Sequence, residues 1–257
     1  MGEAMVRGLL ESDWDPADIA IAEADPARRR HLEAQWPEIR VVPSPAWAVA
    51  EADVVVLAVK PADAVAVIEG LASGLPNDAL VVSIVAGVTT ETIETLLPDH
   101  AVVRAMPNTA AIVGEGAAAI APGSKAGDPE LALAERLLGA FGLVVRVKES
   151  ALDAVTGLSG SGPAYVFLVA EALIDAGVLV GLGREESSRL VIQTLLGAAK
   201  LLADGHGTPE SLRAMVTSPG GTTAAGIHVL EQAGLRAALA DAVVAATRRS
   251  AELGRGE

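Results

Sequence analysis

The chain contains no cysteine. That excludes disulfides, thiolate zinc sites and cysteine nucleophiles. Aromatic residues make up only 2% of the 257 positions. The core must therefore be built from Ala, Val, Leu and Ile. Small side chains let helices approach closely but supply little volume per residue, so an oligomer is expected to complete the core. No long apolar run is present either. The longest, ALVVSIVAGV (Ala79–Val88), is strand-sized, so no membrane partner is expected. Basic residues are in the minority: 19 Lys and Arg against 33 Asp and Glu give a net charge of −14, which argues against a nucleic-acid partner. Glu3 and Glu11 stand where a basic and then apolar leader would lie, so a cytoplasmic location is expected. The four histidines, His31, His100, His206 and His228, show no ligand spacing, and no metal is assigned.

What is present is 51% hydrophobic residues with a mean hydropathy of +0.42, arranged in two halves of different character. Residues 1–148 alternate between short Val- and Ala-rich runs and helix-like segments. Asp18–Ala24, the run IRVV, Asp53–Pro61, Ala79–Gly87, Ala101–Asn108, the run GAAAIAPG and the run LVVRVKES read as strands. The helices between them start at signals such as Asp25-Pro26, an N-cap followed by proline at the first helical position. Such alternation predicts a parallel sheet wrapped by helices, with ligands at the carboxyl ends of the strands. Residues 149–257 carry no convincing strand. They read as helices near 150–158, 162–180, 184–204, 209–217, 222–233 and 235–253, punctuated by glycines. The expected organisation is an α/β, Rossmann-like domain over 1–148 and an all-α domain over 149–257.

Three successive strand ends are stripped of bulk or given polar groups. One ends in Ala58-Val59-Lys60-Pro61, the next in Val85-Ala86-Gly87-Val88, and the third in Arg104-Ala-Met-Pro-Asn108-Thr109. Any one of these is ordinary turn chemistry, but three along one edge favour a cofactor cleft. Glu23 lies about twenty residues past Gly2, where an acid in dinucleotide-binding folds bonds the adenosine ribose. Arg28, Arg29 and Arg30 follow closely and suit a 2′-phosphate, so these residues by themselves leave NADPH and NADH both open.

In the second half, TGLSGSGPAY (Thr156–Tyr165) crowds small and hydroxyl residues ahead of a helix. It suits a polar ligand and close helix packing equally well. SPGGTT (Ser218–Thr223) is sharper. Pro219 stops one helix, Gly220 and Gly221 expose backbone N–H groups, and Thr222 or Thr223 is expected to cap the next helix. That is an anion site with hydroxyl donors, suited to a small carboxylate.

Together, AVKPAD, SIVAGV, RAMPNTA, the block Asp153–Val178, GLGREESSRLVIQTLLGAAKLL and TSPGGTTAAGIHVLEQAG resemble the pyrroline-5-carboxylate reductase family over nearly the whole chain. The resemblance implies a Rossmann domain that binds NADPH, with NADH as the alternative, and a helical dimerisation domain in homodimers that assemble up to decamers. It implies reduction of 1-pyrroline-5-carboxylate to L-proline by hydride transfer, the last step of proline biosynthesis. Carried onto this chain, Gly2, Glu23, Ala58, Val59, Lys60, Pro61, Ala86, Gly87, Val88 and Asn108 line the cofactor. Ser218, Gly220, Gly221, Thr222 and Thr223 hold the substrate, with Thr223 the hydroxyl nearest the imine nitrogen and the catalytic candidate.

In that family, the helix matching MGEAMVRGLL follows a strand and a G-x-G-x-M-G loop, of which Met1 and Gly2 match only the last two residues. Without that central strand two neighbouring strands are expected to have unpaired edges. The expectation is that the natural protein begins further upstream. Two other readings arise: a reductase of larger imines or keto acids, against which the intact SPGGTT argues, and a catalytically inactive, truncated homologue that serves as a helical dimer or binding protein.

Overall fold

A computed structural model describes every residue except Asp13, Ser73, Gly256 and Glu257. The chain forms two compact units, residues 1–161 with 244–257, and residues 162–243.

The first unit opens with α1 (Gly2–Glu11), whose Met5 and Leu9 are buried. Then come β1 (Ala20–Ala22), α2 (Pro26–Gln35), β2 (Arg40–Val42), α3 (Pro45–Val49), β3 (Val54–Leu57) and α4 (Pro61–Leu71). They are followed by β4 (Leu80–Ser83), α5 (Thr90–Leu96), β5 (Val102–Met106), β6 (Gly116–Pro122), α6 (Asp128–Gly139) and β7 (Gly142–Arg146). The start signals work as the sequence indicates: the Asp25 carboxylate accepts from the N–H groups of Ala27 and Arg28 at 2.8 and 2.7 Å. Those two backbone bonds hold its carboxyl below the usual carboxylate range.

Five strands form one sheet in the order β3-β4-β5-β6-β7, while β1 and β2 form a separate parallel pair. β4 is buried on both faces, which is why LVVS shows no alternation. Leu80 and Val82 face one core with Met5 and Leu9 of α1 and Leu137 and Leu138 of α6. Val81 faces another with Ile68 of α4 and Ile93 of α5. The expected all-parallel sheet needs one correction, because β6 runs antiparallel to β5. Only a short 3-10 turn, Thr109–Val113, separates them. A parallel return needs a crossover of a dozen residues or more.

Residues Leu152–Val155 form α7, and Thr156–Gly160 continue it as a π-helical turn. The second unit contains α8 (Gly162–Leu179), α9 (Arg184–Ala203), α10 (Pro209–Met215), α11 (Thr222–Gln232) and the start of α12 (Leu235–Gly254), whose end belongs to the first unit. α8 and α9 pack through small residues: a Cβ on Gly177 would lie 2.5 Å from Ser187 Oγ. α8 has no buried residue, and Phe167, Leu168 and Leu179 are 68, 66 and 86% exposed. α8 thus presents large apolar side chains on the surface of the single chain. The continuous helical stretch Glu149–Leu179 is also long and apolar enough to cross a membrane by length and composition alone. Counting uninterrupted apolar runs does not reveal this, because Glu171 and Asp175 interrupt the run without polarising the helix.

Candidate functional site: a dinucleotide edge and an anion-binding turn

In the first unit, the carboxyl ends of β1, β3, β4 and β5 carry every residue expected to line a cofactor except Gly2, which opens α1. Gly2 still belongs with them, because a Cβ there would stand 3.3 Å from Ala58 Cβ, just past β3. α1 has no side-chain cap, and its first backbone bond within the helix is Met5 N–H to Met1 C=O. Its first N–H groups are left for an anion, with the positive end of the helix dipole behind them. After β3, Ala58 and Val59 lead to Lys60, an extended residue whose side chain is exposed, and Pro61 opens α4. After β4, the chain turns through Ala86, Gly87 and Val88. Gly87 is in the left-handed region (φ 77°), which a side chain would strain.

Glu23 follows β1, with its carboxylate accepting from Asp25 N–H at 2.9 Å. The three arginines take separate roles. Arg28 pairs with Glu3 of α1, Arg29 donates to the Glu23 carbonyl at 2.7 Å, and Arg30 uses its Nε on the Pro26 carbonyl at 3.2 Å. Asn108, beyond β5, is a three-way clamp. Its Oδ1 accepts from Ala110 and Ala117 N–H groups at 3.2 and 3.1 Å, and its Nδ2 donates to the Ser159 carbonyl at 3.1 Å. The hydroxyls of Thr156 and Ser159 are turned inward onto carbonyls of their own helical segment, Leu152 and Val155. That favours the packing reading of TGLSGSGPAY over the ligand reading. The residues of this edge fit a dinucleotide: an uncapped helix N-terminus beside a glycine, and strand ends with little bulk.

Sequence reasoning passed over the carboxylate that braces this edge. Glu149 accepts from Thr90 N–H at 2.8 Å, from Thr90 Oγ1 at 2.5 Å and from Arg104 Nη1 at 3.1 Å. Partial burial works to raise its carboxyl, but the two Thr90 bonds and Arg104 outweigh it and hold Glu149 below the usual carboxylate range.

In the second unit, Ser218–Thr223 form the turn into α11. Gly220 is left-handed (φ 70°), and Gly221 N–H closes the turn onto the Ser218 carbonyl at 3.0 Å. A Cβ on Gly221 would stand 2.4 Å from Ser218 Oγ, so a side chain there requires the serine hydroxyl to turn away. Neither threonine caps α11 as expected: both lie inside its first turn, the N-cap is Gly221, which has no side chain to cap with, and the first backbone bond runs from Ala225 N–H to Gly221 C=O. The N–H groups of Thr222, Thr223 and Ala224 therefore have no acceptor within the helix. The Thr222 and Thr223 hydroxyls have no partner among the described residues. N–H groups and hydroxyls together suit a carboxylate with a polar neighbour.

Fold and edge define the class, an oxidoreductase with a nicotinamide-dinucleotide domain followed by a helical dimerisation region. Residues 1–87 match the family described as NADP oxidoreductase, coenzyme F420-dependent, and residues 149–253 match pyrroline-5-carboxylate reductase dimerisation. A pyrroline-5-carboxylate reductase of Synechocystis is 46% identical over 99% of this chain and 95% of its own length. A solved pyrroline-5-carboxylate reductase of Coxiella burnetii superposes with TM-score 0.92 at 37% identity, covering 98% of this chain and 94% of that one. That of Plasmodium falciparum, solved with NADP bound, gives 0.86 at 29% identity, covering 99 and 94%. The chain belongs to the pyrroline-5-carboxylate reductase family.

Proposed function

We propose that this protein reduces 1-pyrroline-5-carboxylate to L-proline with NADPH, the final step of proline biosynthesis. The observation that carries the reading is the SPGGTT turn, with its unengaged N–H groups and threonine hydroxyls, in a chain 46% identical to a reductase of that name. When bound, the reduced nicotinamide supplies a hydride to C5 of the substrate's C=N bond. Gly2, Ala58–Pro61 and Ala86–Val88 form the cofactor wall, with Glu23 at the ribose and Asn108 fixing the strand end beside them. Ser218, Gly220, Gly221 and Thr222 hold the substrate carboxylate. Thr223 Oγ1 faces the imine nitrogen, accepting from its N–H once protonated or passing it a proton from water. Orientation and exclusion of water supply most of the rate. The catalytically inactive reading has no support from relatives that match across nearly all of the chain. The purified protein is expected to form one L-proline per NADPH consumed; NADPH binding without turnover contradicts the reading.

The preference for NADPH is supported by the arginines beyond β1, of which Arg30 engages only its Nε among the described residues. Glu23 opposes it by repelling a 2′-phosphate. Glu23→Ser is therefore expected to shift the ratio of kcat/KM further toward NADPH over NADH by about tenfold, the effect of one like-charge contact. An unchanged ratio removes Glu23 from cofactor choice. The domains divide near Glu149 in function, with 1–148 serving the cofactor and 149–257 the substrate and the dimer. The reading also places the enzyme in the cytoplasm as a homodimer that assembles up to a decamer.

A further inference from the structure

The turn Ile84–Thr89 is held at its two ends by different means. At the β4 end, Ile84 N–H bonds the Leu57 carbonyl at 3.1 Å, and Val85 N–H bonds Ser83 Oγ at 3.3 Å. At the α5 end, the first helical residue, Thr90, is 6% exposed and gives both its N–H and its hydroxyl to Glu149. Glu149 is anchored in turn by Arg104, a nearly buried cation on β5 opposite Ser83 in the β4–β5 register. Arg104 has no other carboxylate partner among the described residues. Between these anchors sits Gly87, where an added Cβ would lie 3.5 Å from the Leu253 carbonyl oxygen and from Gly254 Cα at the end of α12. That end is itself tied down, because Ser250 Oγ donates to Asp153 Oδ1 at 2.7 Å.

From this arrangement we infer that Glu149 is a positioning residue for the dinucleotide: it fixes the Ile84–Thr89 turn through Thr90 and so sets cofactor affinity without touching cofactor or substrate. The inference rests on the proposed role of Ala86–Val88 as part of the cofactor wall. The physical basis is a partly buried carboxylate with three donors in hand. An amide of the same shape keeps the volume but removes the negative charge that faces Arg104 and Thr90 N–H, and its NH2 group turns the Thr90 hydroxyl from donor to acceptor, so charge-assisted bonds become weaker neutral ones. The α5 anchor of the turn is then weakened while β4 and β5 keep their ladder.

The test compares Glu149→Gln, Thr90→Val and Thr90→Ser in the purified protein, with Ala86→Arg as a probe of the wall. The readouts are the NADPH dissociation constant by fluorescence titration, Tm, and the separate KM values for cofactor and imine. Glu149→Gln is expected to weaken NADPH binding about tenfold, as losing one charge-assisted contact does, with the imine KM within about twofold. Thr90→Val shifts affinity the same way by a smaller factor, and Thr90→Ser, which keeps both donors, restores the parent value. If Glu149→Gln does not fold, the Val and Ser pair at Thr90 decides the matter alone. A lowered Tm with unchanged NADPH affinity in Glu149→Gln, while Ala86→Arg abolishes binding, overturns the inference and leaves the wall intact. Unchanged affinity in Ala86→Arg as well overturns both.

Discussion

Replacing Thr223 by valine lowers kcat/KM for the imine about 100-fold, the usual cost of removing one hydroxyl from a proton-handling position, while leaving Tm and NADPH affinity unchanged. Valine matches threonine in shape, and the Thr223 hydroxyl makes no hydrogen bond among the described residues, so the folded state loses none. What disappears is the one group proposed to face the imine nitrogen. Thr223→Ser keeps the hydroxyl and is expected to retain most of the rate. The neighbouring Thr222→Val separates the two threonines, since loss at the carboxylate raises KM more than it lowers kcat. Steady-state kinetics with the imine as varied substrate reads all three. A Thr223→Val rate within about threefold of the parent removes Thr223 from the chemistry.

Gly142→Ala destabilises the first unit more than any change at the proposed site. Gly142 has φ 150°, a region that L side chains rarely adopt. Its parallel partner in the β6–β7 register is Gly116. A Cβ at Gly142 would sit 2.0 Å from the Gly116 carbonyl oxygen, and one at Gly116 would sit 2.7 Å from the Phe141 carbonyl oxygen. Two strands meet here with no room for a side chain on either, and both obstacles are backbone. The alanine must open the ladder at its first pair, beside the fully buried Phe141. Backbone strain and lost packing together are expected to cost at least about 3 kcal/mol. For a chain of this size that lowers Tm by about 10 °C. Thermal unfolding of Gly142→Ala against Gly139→Ala reads the effect, since a Cβ at Gly139 meets nothing within 4 Å. Equal Tm values for the two variants contradict the close approach.

Much of this was legible because glycine and proline mark boundaries. The helices of the second half lie within a few residues of their sequence-read limits, since Gly183, Pro209, Gly221 and Gly234 stand at their ends. The fully apolar β4 reads as a buried strand for the same reason that it is one: both faces are covered. Strand direction was not legible. Periodicity says nothing about orientation, and only the shortness of the Thr109–Val113 connection reveals that β6 turns back. α3 escaped as well, because a five-residue helix has too little period to show and Ser44 makes no capping bond.

At the site, the strand-end residues announced themselves by small size and proline. Their supports did not. Glu149 reaches Thr90 and Arg104 from distant parts of the chain, and no local pattern encodes such a contact. Asn108 was legible as a strand-end residue, but its work as a clamp on Ala110, Ala117 and Ser159 needs the folded chain. The arginines after β1 read as one cluster in sequence and divide in space, one to Glu3, one to strand-end carbonyls and one to the start of its own helix.

The central claim is hydride delivery to C5 of a cyclic imine whose carboxylate sits on the Ser218–Thr223 turn. It is tested most directly by turnover with reduced cofactor carrying deuterium on both faces of nicotinamide C4. The account predicts L-proline with one deuterium, located at C5. Proline without deuterium, deuterium at another carbon, or no proline at all contradicts it.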